Sequence, residues 1–145
     1  MRNFSILASV TLSLLLATTS ATAQNKLGFK CTFGPGTVAN WDSGKVKIER
    51  ANFGDPNVTI HFDSIDAKAG TARMIANVGS TTVIALFTET GLTLIEQTRA
   101  GNLSFTTIFM QKPKRPSELA AVMSRHIDIP TGPFPSQYYG TCVPW

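Results

Sequence analysis

Residues Val58 to Met110 read VTIHFDSIDAKAGTARMIANVGSTTVIALFTETGLTLIEQTRAGNLSFTTIFM. Val58, Ile60 and Phe62 alternate with Thr59, His61 and Asp63, the period of a half-buried strand. The period recurs along the stretch. After Gly70, Thr71 to Val78 sets Ala72, Met74, Ala76 and Val78 on one face. After the Gly79-Ser80 turn signal, Thr81 to Thr88 carries Val83-Ile84-Ala85-Leu86-Phe87. That run is apolar on both faces and predicts a central strand covered on both sides. Beyond Thr90-Gly91, Leu92, Leu94 and Glu96 share a face opposite Thr93, Ile95 and Gln97. Beyond Gly101-Asn102, Leu103, Phe105, Thr107 and Phe109 oppose Ser104, Thr106, Ile108 and Met110. Connections this short force antiparallel pairing, because a parallel crossover takes about a dozen residues or more. The stretch is therefore an up-and-down meander. Such a sheet resolves its edges by curling into a barrel or stacking into a sandwich.

The flanks add strands at both ends. Lys26 to Phe33 predicts a first strand, ended by Gly34-Pro35-Gly36. Val38 to Gly44 reads as a loop or short strand containing Trp41, and Lys45 to Glu49 as an alternating strand. Ser64 to Gly70 reads as a loop. Gln111 to Pro116, with two prolines and three cations, reads as a surface loop. Ser117 to Ala121 predicts a helical turn capped by Ser117. Ala120 to Ile129 is the last long strand, and Tyr138 to Cys142 a short closing one. The expectation is an all-β fold, an antiparallel meander closing into a small barrel of about eight strands, with a sandwich second. At that strand number the interior is filled by side chains or holds one small ligand.

Met1-Arg2-Asn3 is a short basic start, Phe4 to Leu16 an apolar segment, and Ala21-Thr22-Ala23 a small-residue cleavage signal. The pattern predicts a signal peptide over residues 1–23. One domain follows, Gln24 to Trp145, periplasmic or secreted, with no transmembrane segment after cleavage. The whole chain carries 13 Lys and Arg against 9 Asp and Glu, a net charge of +4. Losing Arg2 with the signal leaves +3. That mild excess falls short of a nucleic-acid footprint. The two cysteines, Cys31 and Cys142, form the expected disulfide of an exported chain. A loop that long is worth roughly 4–5 kcal/mol in the chain-entropy account.

Met123, Arg125, Ile127 and Ile129 share a face that is apolar except for Arg125, and Glu96 stands in line with Leu92 and Leu94. A charge aimed into a core must be paired or must line a polar cavity. Arg125 and Glu96 are accordingly read as inward-facing, forming an internal ion pair or the polar end of a ligand pocket. With the neighbouring His126 they are the candidate ligand-binding residues. His61 and Asp63, then His126 and Asp128, form two His-x-Asp pairs. Each pair lies on one side of its strand, but the apolar neighbours would turn both outward, so no metal and no cofactor is assigned. Lys112, Lys114 and Arg115 make a candidate interaction loop. There is no nucleophile elbow, no H-E-x-x-H and no phosphate loop, so the chain is not read as an enzyme. A hydrolase with two carboxylates is the third reading.

Gly101-Asn102-Leu103 through Thr106-Thr107-Ile108-Phe109, Ala121-Val122-Met123-Ser124-Arg125-His126 and Ser136-Gln137-Tyr138-Tyr139-Gly140-Thr141-Cys142 carry a resemblance. They are similar to stretches of small exported bacterial β-proteins of proteobacterial type, with a Ser-Arg-His strand and a Tyr-Gly-Thr-Cys ending. The resemblance implies a periplasmic or secreted setting and transfers no activity. In strand count the chain also resembles the calycin barrels. It lacks the Gly-x-Trp of lipocalins, since Ala39 stands two residues before Trp41. The leading expectation is a non-enzymatic binding protein for a small apolar or amphipathic ligand or an envelope component. The alternative is a protein-inhibitor or interaction module of the periplasm, similar in size and style to lysozyme inhibitors, acting through surface loops. Nucleic acid is not expected as a partner, and the oligomeric state is left open.

Overall fold

A computed structural model of the chain describes residues 27–54, 58–111 and 117–145. The expected signal peptide and Lys112, Lys114 and Arg115 lie outside these residues. The regular structure within them is all β. The strands are β1 (Phe29–Asp42), β2 (Lys45–Asn52), β3 (Val58–Asp66), β4 (Thr71–Ala76), β5 (Gly79–Phe87) and β6 (Gly91–Gln97), then β7 (Leu103–Phe109), β8 (Leu119–His126), β9 (Asp128–Ile129), β10 (Gly132–Pro133) and β11 (Ser136–Pro144). Strands β1, β3, β4, β5, β6, β7, β8 and β11 pair antiparallel in that order. Strand β11 returns to pair with β1, which closes an eight-stranded barrel. The small pair β9–β10 lies apart from the wall.

Closure rests on the β1–β11 seam. Cys31 stands directly opposite Cys142 in the ladder, and a disulfide joins them across 111 residues of sequence. Both are fully buried. Two glycines let the seam come together. A Cβ on Gly140 would stand 2.1 Å from the Thr32 carbonyl oxygen, and one on Gly36 2.2 Å from the Gln137 carbonyl oxygen. No side chain fits at those separations, so glycine is required at both places.

Inside, the alternation works as the period-two pattern predicts. Phe29, Cys31, Phe33, Ile60, Phe62, Leu92, Leu94, Ile108, Ala121 and Met123 form one core, with Tyr138 and Cys142 from the last strand. Register stacks them in rows. Leu92, Ile108, Ala121 and Gly140 make one row across β6, β7, β8 and β11, and Leu94, Thr106, Met123 and Tyr138 make the next.

Six expectations are corrected. The last long strand does not run from Ala120 to Ile129: β8 ends at His126, and Asp128 and Ile129 pair instead with β10. Val78 does not close the inward face of a strand: β4 ends at Ala76, Val78 lies exposed in the turn, and β5 already begins at Gly79. Gly34-Pro35-Gly36 does not end the first strand: β1 runs through it on a shift of register between Phe33 and Gly36 and continues to Asp42. Its outer half pairs with β2 through Ser43 and Gly44, both at positive φ (50° and 77°), to make a hairpin projecting from the barrel. Ser64 to Asp66 is strand, not loop, because an irregularity at Ser64 (φ 50°) bends β3 and lets it pair on to Asp66. Ser117 does not cap a helical turn: Leu119 and Ala120 already belong to β8, paired with Cys142 and Thr141. Strand β5 is not covered on both sides. Ile84 and Leu86 are exposed, because a closed barrel has one interior and no described element packs on that outer face.

Replacing both cysteines by serine is expected to lower the unfolding free energy by about 2–5 kcal/mol. Denaturant midpoints of the oxidised protein and the double variant measure this, and equal midpoints would show that the backbone ladder alone holds the seam.

Candidate functional site

The barrel is filled at one end and open at the other. Leu92 and Ile108 seal the filled end. Toward the opposite end lies a cavity of about 260 Å³. Its apolar part is made by Ile60, Phe62, Met74, Val83, Leu94 and Met123. Its mouth carries Glu96, Thr98, Asn102, Ser104 and Arg125. An apolar cavity of about 150 Å³ is large enough to take benzene, so this one accommodates a somewhat larger body.

The polar mouth follows from register. Glu96 pairs with Ser104, Ser104 with Arg125, and Arg125 with Ser136. This row sits one step beyond Leu94, Thr106, Met123 and Tyr138, on the same inward face of each strand. Glu96 and Arg125 are half-buried. Among the described residues no ion pair joins them, and neither side chain has a hydrogen-bond partner. The Arg125 guanidinium instead lies 5.6 Å from the centre of the Phe53 ring. Phe53 in turn meets Tyr138 at 4.9 Å and Phe33 at 6.4 Å between ring centres. It is held there by its backbone N–H, which donates to the Gly34 carbonyl at 2.7 Å.

The β6–β7 turn frames the other side of the mouth. The Thr98 N–H donates to the Asn102 carbonyl at 2.9 Å, and the Asn102 N–H donates to Thr98 Oγ1 at 3.2 Å. Asn102 Oδ1 accepts from the Asp128 N–H at 3.0 Å, tying this turn to the segment after β8. The turn after the strand of Glu96 is thereby linked to the segment that follows the strand of Arg125. Ser136 Oγ, next in the row, is buried without a hydrogen-bond partner among the described residues.

The structure brings together two of the three candidate ligand residues. Glu96 and Arg125 line the same cavity. His126 does not join them: it follows Arg125 and so points outward, where its ring meets Phe105 at 5.4 Å. The two His-x-Asp pairs are also apart. His61 is on β3 and His126 on β8, separated around the barrel by β1 and β11. Asp63 is bound to Arg73, whose Nε and Nη2 donate at 2.7 and 2.5 Å. Hydrogen bonding first, and the opposite charge second, raise the Arg73 guanidinium above its ordinary pKa. His61 stacks edge-on against Trp145 at 4.5 Å.

Phe53 is the site residue that pattern reading misses. It stands beside a Gly-Asp-Pro-Asn turn signal, outside any period. A large aromatic ring in an otherwise polar turn was the available signal, since such a ring ordinarily finds a buried contact. The chain matches no protein-family model and no curated protein.

Phe53→Ala is expected to cost about 1–3 kcal/mol, below the 3–5 kcal/mol of a fully buried ring, and to free Arg125 from its ring contact. Thermal or denaturant unfolding measures the first part, and an unchanged midpoint would show that the ring is not packed in the mouth.

Proposed function

We propose that this chain is an exported, non-enzymatic binding protein whose barrel mouth takes a small amphipathic molecule. The observation that carries the reading is the unequal filling of the barrel: apolar walls around a 260 Å³ space, with two charged residues at its mouth. A site of this composition receives an apolar body by desolvation and orients it through a few placed polar groups. The export setting is supported by the residue 1–23 signal pattern and by the Cys31–Cys142 disulfide, which suits an oxidising compartment. Native mass spectrometry on gently purified protein, against a denatured and refolded sample, is expected to reveal an added mass that refolding removes. Equal masses from both samples, with no thermal shift from any amphipathic compound tried, would retire the proposal.

A second reading is favoured by one separate observation. The β1–β2 hairpin stands off the barrel and exposes Trp41 and Val46, which pair across it, and Ile48, which is 70% exposed. Such a face suits contact with an envelope protein, as in an inhibitor module. In this reading the wild-type chain slows lysozyme, and Trp41→Ala with Ile48→Ser relieves the inhibition without lowering the melting temperature. Full lysozyme activity in an excess of wild-type chain would set the inhibitor form aside.

A further inference from the structure

Two opposite charges face one small cavity, and they do not satisfy each other. Glu96 and Arg125 leave strands that are next but one in the barrel, with Ser104 between them in register. Two strand spacings put their backbones roughly 10 Å apart. The described residues supply neither side chain with a hydrogen bond or an ion pair, although both line the cavity. Among the described residues Glu96 thus loses solvation without gaining a polar partner, and Arg125 gains only the face of the Phe53 ring.

From this we propose that the ligand is zwitterionic: a short head bearing an ammonium and a carboxylate, on an apolar body about the size of an aromatic ring or a branched aliphatic chain. The inference rests on the reading of the cavity as a ligand site and goes further by fixing the charge of what enters. The carboxylate is received by Arg125. Its contact with Phe53 holds the guanidinium at the mouth, and a guanidinium against a ring still offers its in-plane N–H donors. The ammonium is received by Glu96, an acceptor-only group when ionised. The apolar body enters among Ile60, Phe62, Leu94 and Met123. A purely anionic amphiphile would satisfy Arg125 but bring its charge toward Glu96. A purely cationic one meets the opposite conflict. Only a molecule carrying both signs leaves no charge unmatched in the mouth.

Four probes that share a phenyl body separate these cases: L-phenylalanine, 3-phenylpropanoate, phenethylamine and phenethyl alcohol. Each is titrated calorimetrically into the oxidised wild-type chain. L-Phenylalanine is expected to bind about tenfold or more tighter than either singly charged probe, the scale of one charge-assisted contact. Glu96→Gln is expected to remove the preference over 3-phenylpropanoate, and Arg125→Met the preference over phenethylamine. Should Arg125→Met fail to fold, the wild-type order of the probes and Glu96→Gln still decide the matter. Equal binding of 3-phenylpropanoate and L-phenylalanine, unchanged in Glu96→Gln, would overturn the zwitterion while leaving a ligand pocket in place. Tightest binding of the neutral alcohol would do the same. If none of the four binds, the species released in native mass spectrometry decides: one with both charges upholds the inference, and one lacking either overturns it. Absence of any carried species together with four blank titrations would bring down the cavity reading itself.

Discussion

A barrel exists here only because the first and last strands meet. The five pairs from β3 to β8 join strands that succeed one another along the chain, while β1–β3 reaches across the β2 hairpin and β8–β11 across the β9–β10 segment. The β1–β11 pair differs from all of these: its partners are separated by nearly the whole domain, and loop closure costs more as separation grows. Three features act on this one ladder. Cys31 and Cys142 lock it covalently, Gly140 allows Thr32 to approach, and Gly36 allows Gln137 to approach. Once the seam is shut, a one-residue slip in any strand would turn its apolar residues out. The disulfide therefore does more than restrict the unfolded chain: it sits in the register that decides which side chains face inward.

The inward residues change character from one end of the barrel to the other. Leu92, Leu94 and Glu96 succeed one another along β6. Ile108, Thr106 and Ser104 do so along β7, and Ala121, Met123 and Arg125 along β8. Strands β6 and β8 thus turn polar at the row of Glu96 and Arg125, and β7 one row earlier, at Thr106. Phe29, Phe33 and Phe62 lie in the interior, and Lys30, Thr32, Asp63 and Arg73 on the outer face of β1, β3 and β4, while Ile84, Leu86 and Phe109 are exposed on the outer face of β5 and β7. The barrel is organised around an interior that is dry at one end and polar at the other.

Most of this was legible without coordinates, because a half-buried strand writes its burial into alternate positions. The order and approximate positions of the strands from Val58 onward, the closure by Cys31 and Cys142, and the inward facing of Glu96 and Arg125, though not the grouping of His126 with them, follow from the sequence. The misreadings have a common cause, which is that local signals were overridden by pairing. Gly34-Pro35-Gly36 has the composition of a terminator, yet its last glycine serves a close approach between strands that are far apart in sequence. Ser117 has the composition of a helix cap, yet Leu119 and Ala120 just beyond it are bound into a ladder with β11. The Val83 to Phe87 run has the composition of a central strand, yet a barrel wall has no second covering layer. Phe53 could not be placed at all, since its partners Phe33, Tyr138 and Arg125 come from three separate parts of the chain.

The state of Glu96 and Arg125 is the remaining physical question. A fold selected for stability alone has two simple choices at such positions. It can pair the charges directly, or replace both with apolar residues of similar volume, which is often neutral or stabilising. This barrel follows neither course. Its next row inward, Leu94, Thr106 and Met123, demonstrates that small and apolar residues suit these strands. Phe53 holds the guanidinium at the mouth with a contact worth about 0.5–2 kcal/mol, so Arg125 is positioned without being neutralised. Serine and asparagine around the two charges add donors and acceptors while leaving the space open. Opposite charges kept apart over an apolar cavity forgo what a direct pair or apolar packing would contribute, and in the proposed reading a molecule of matching charge and shape would recover that cost on filling the gap between them.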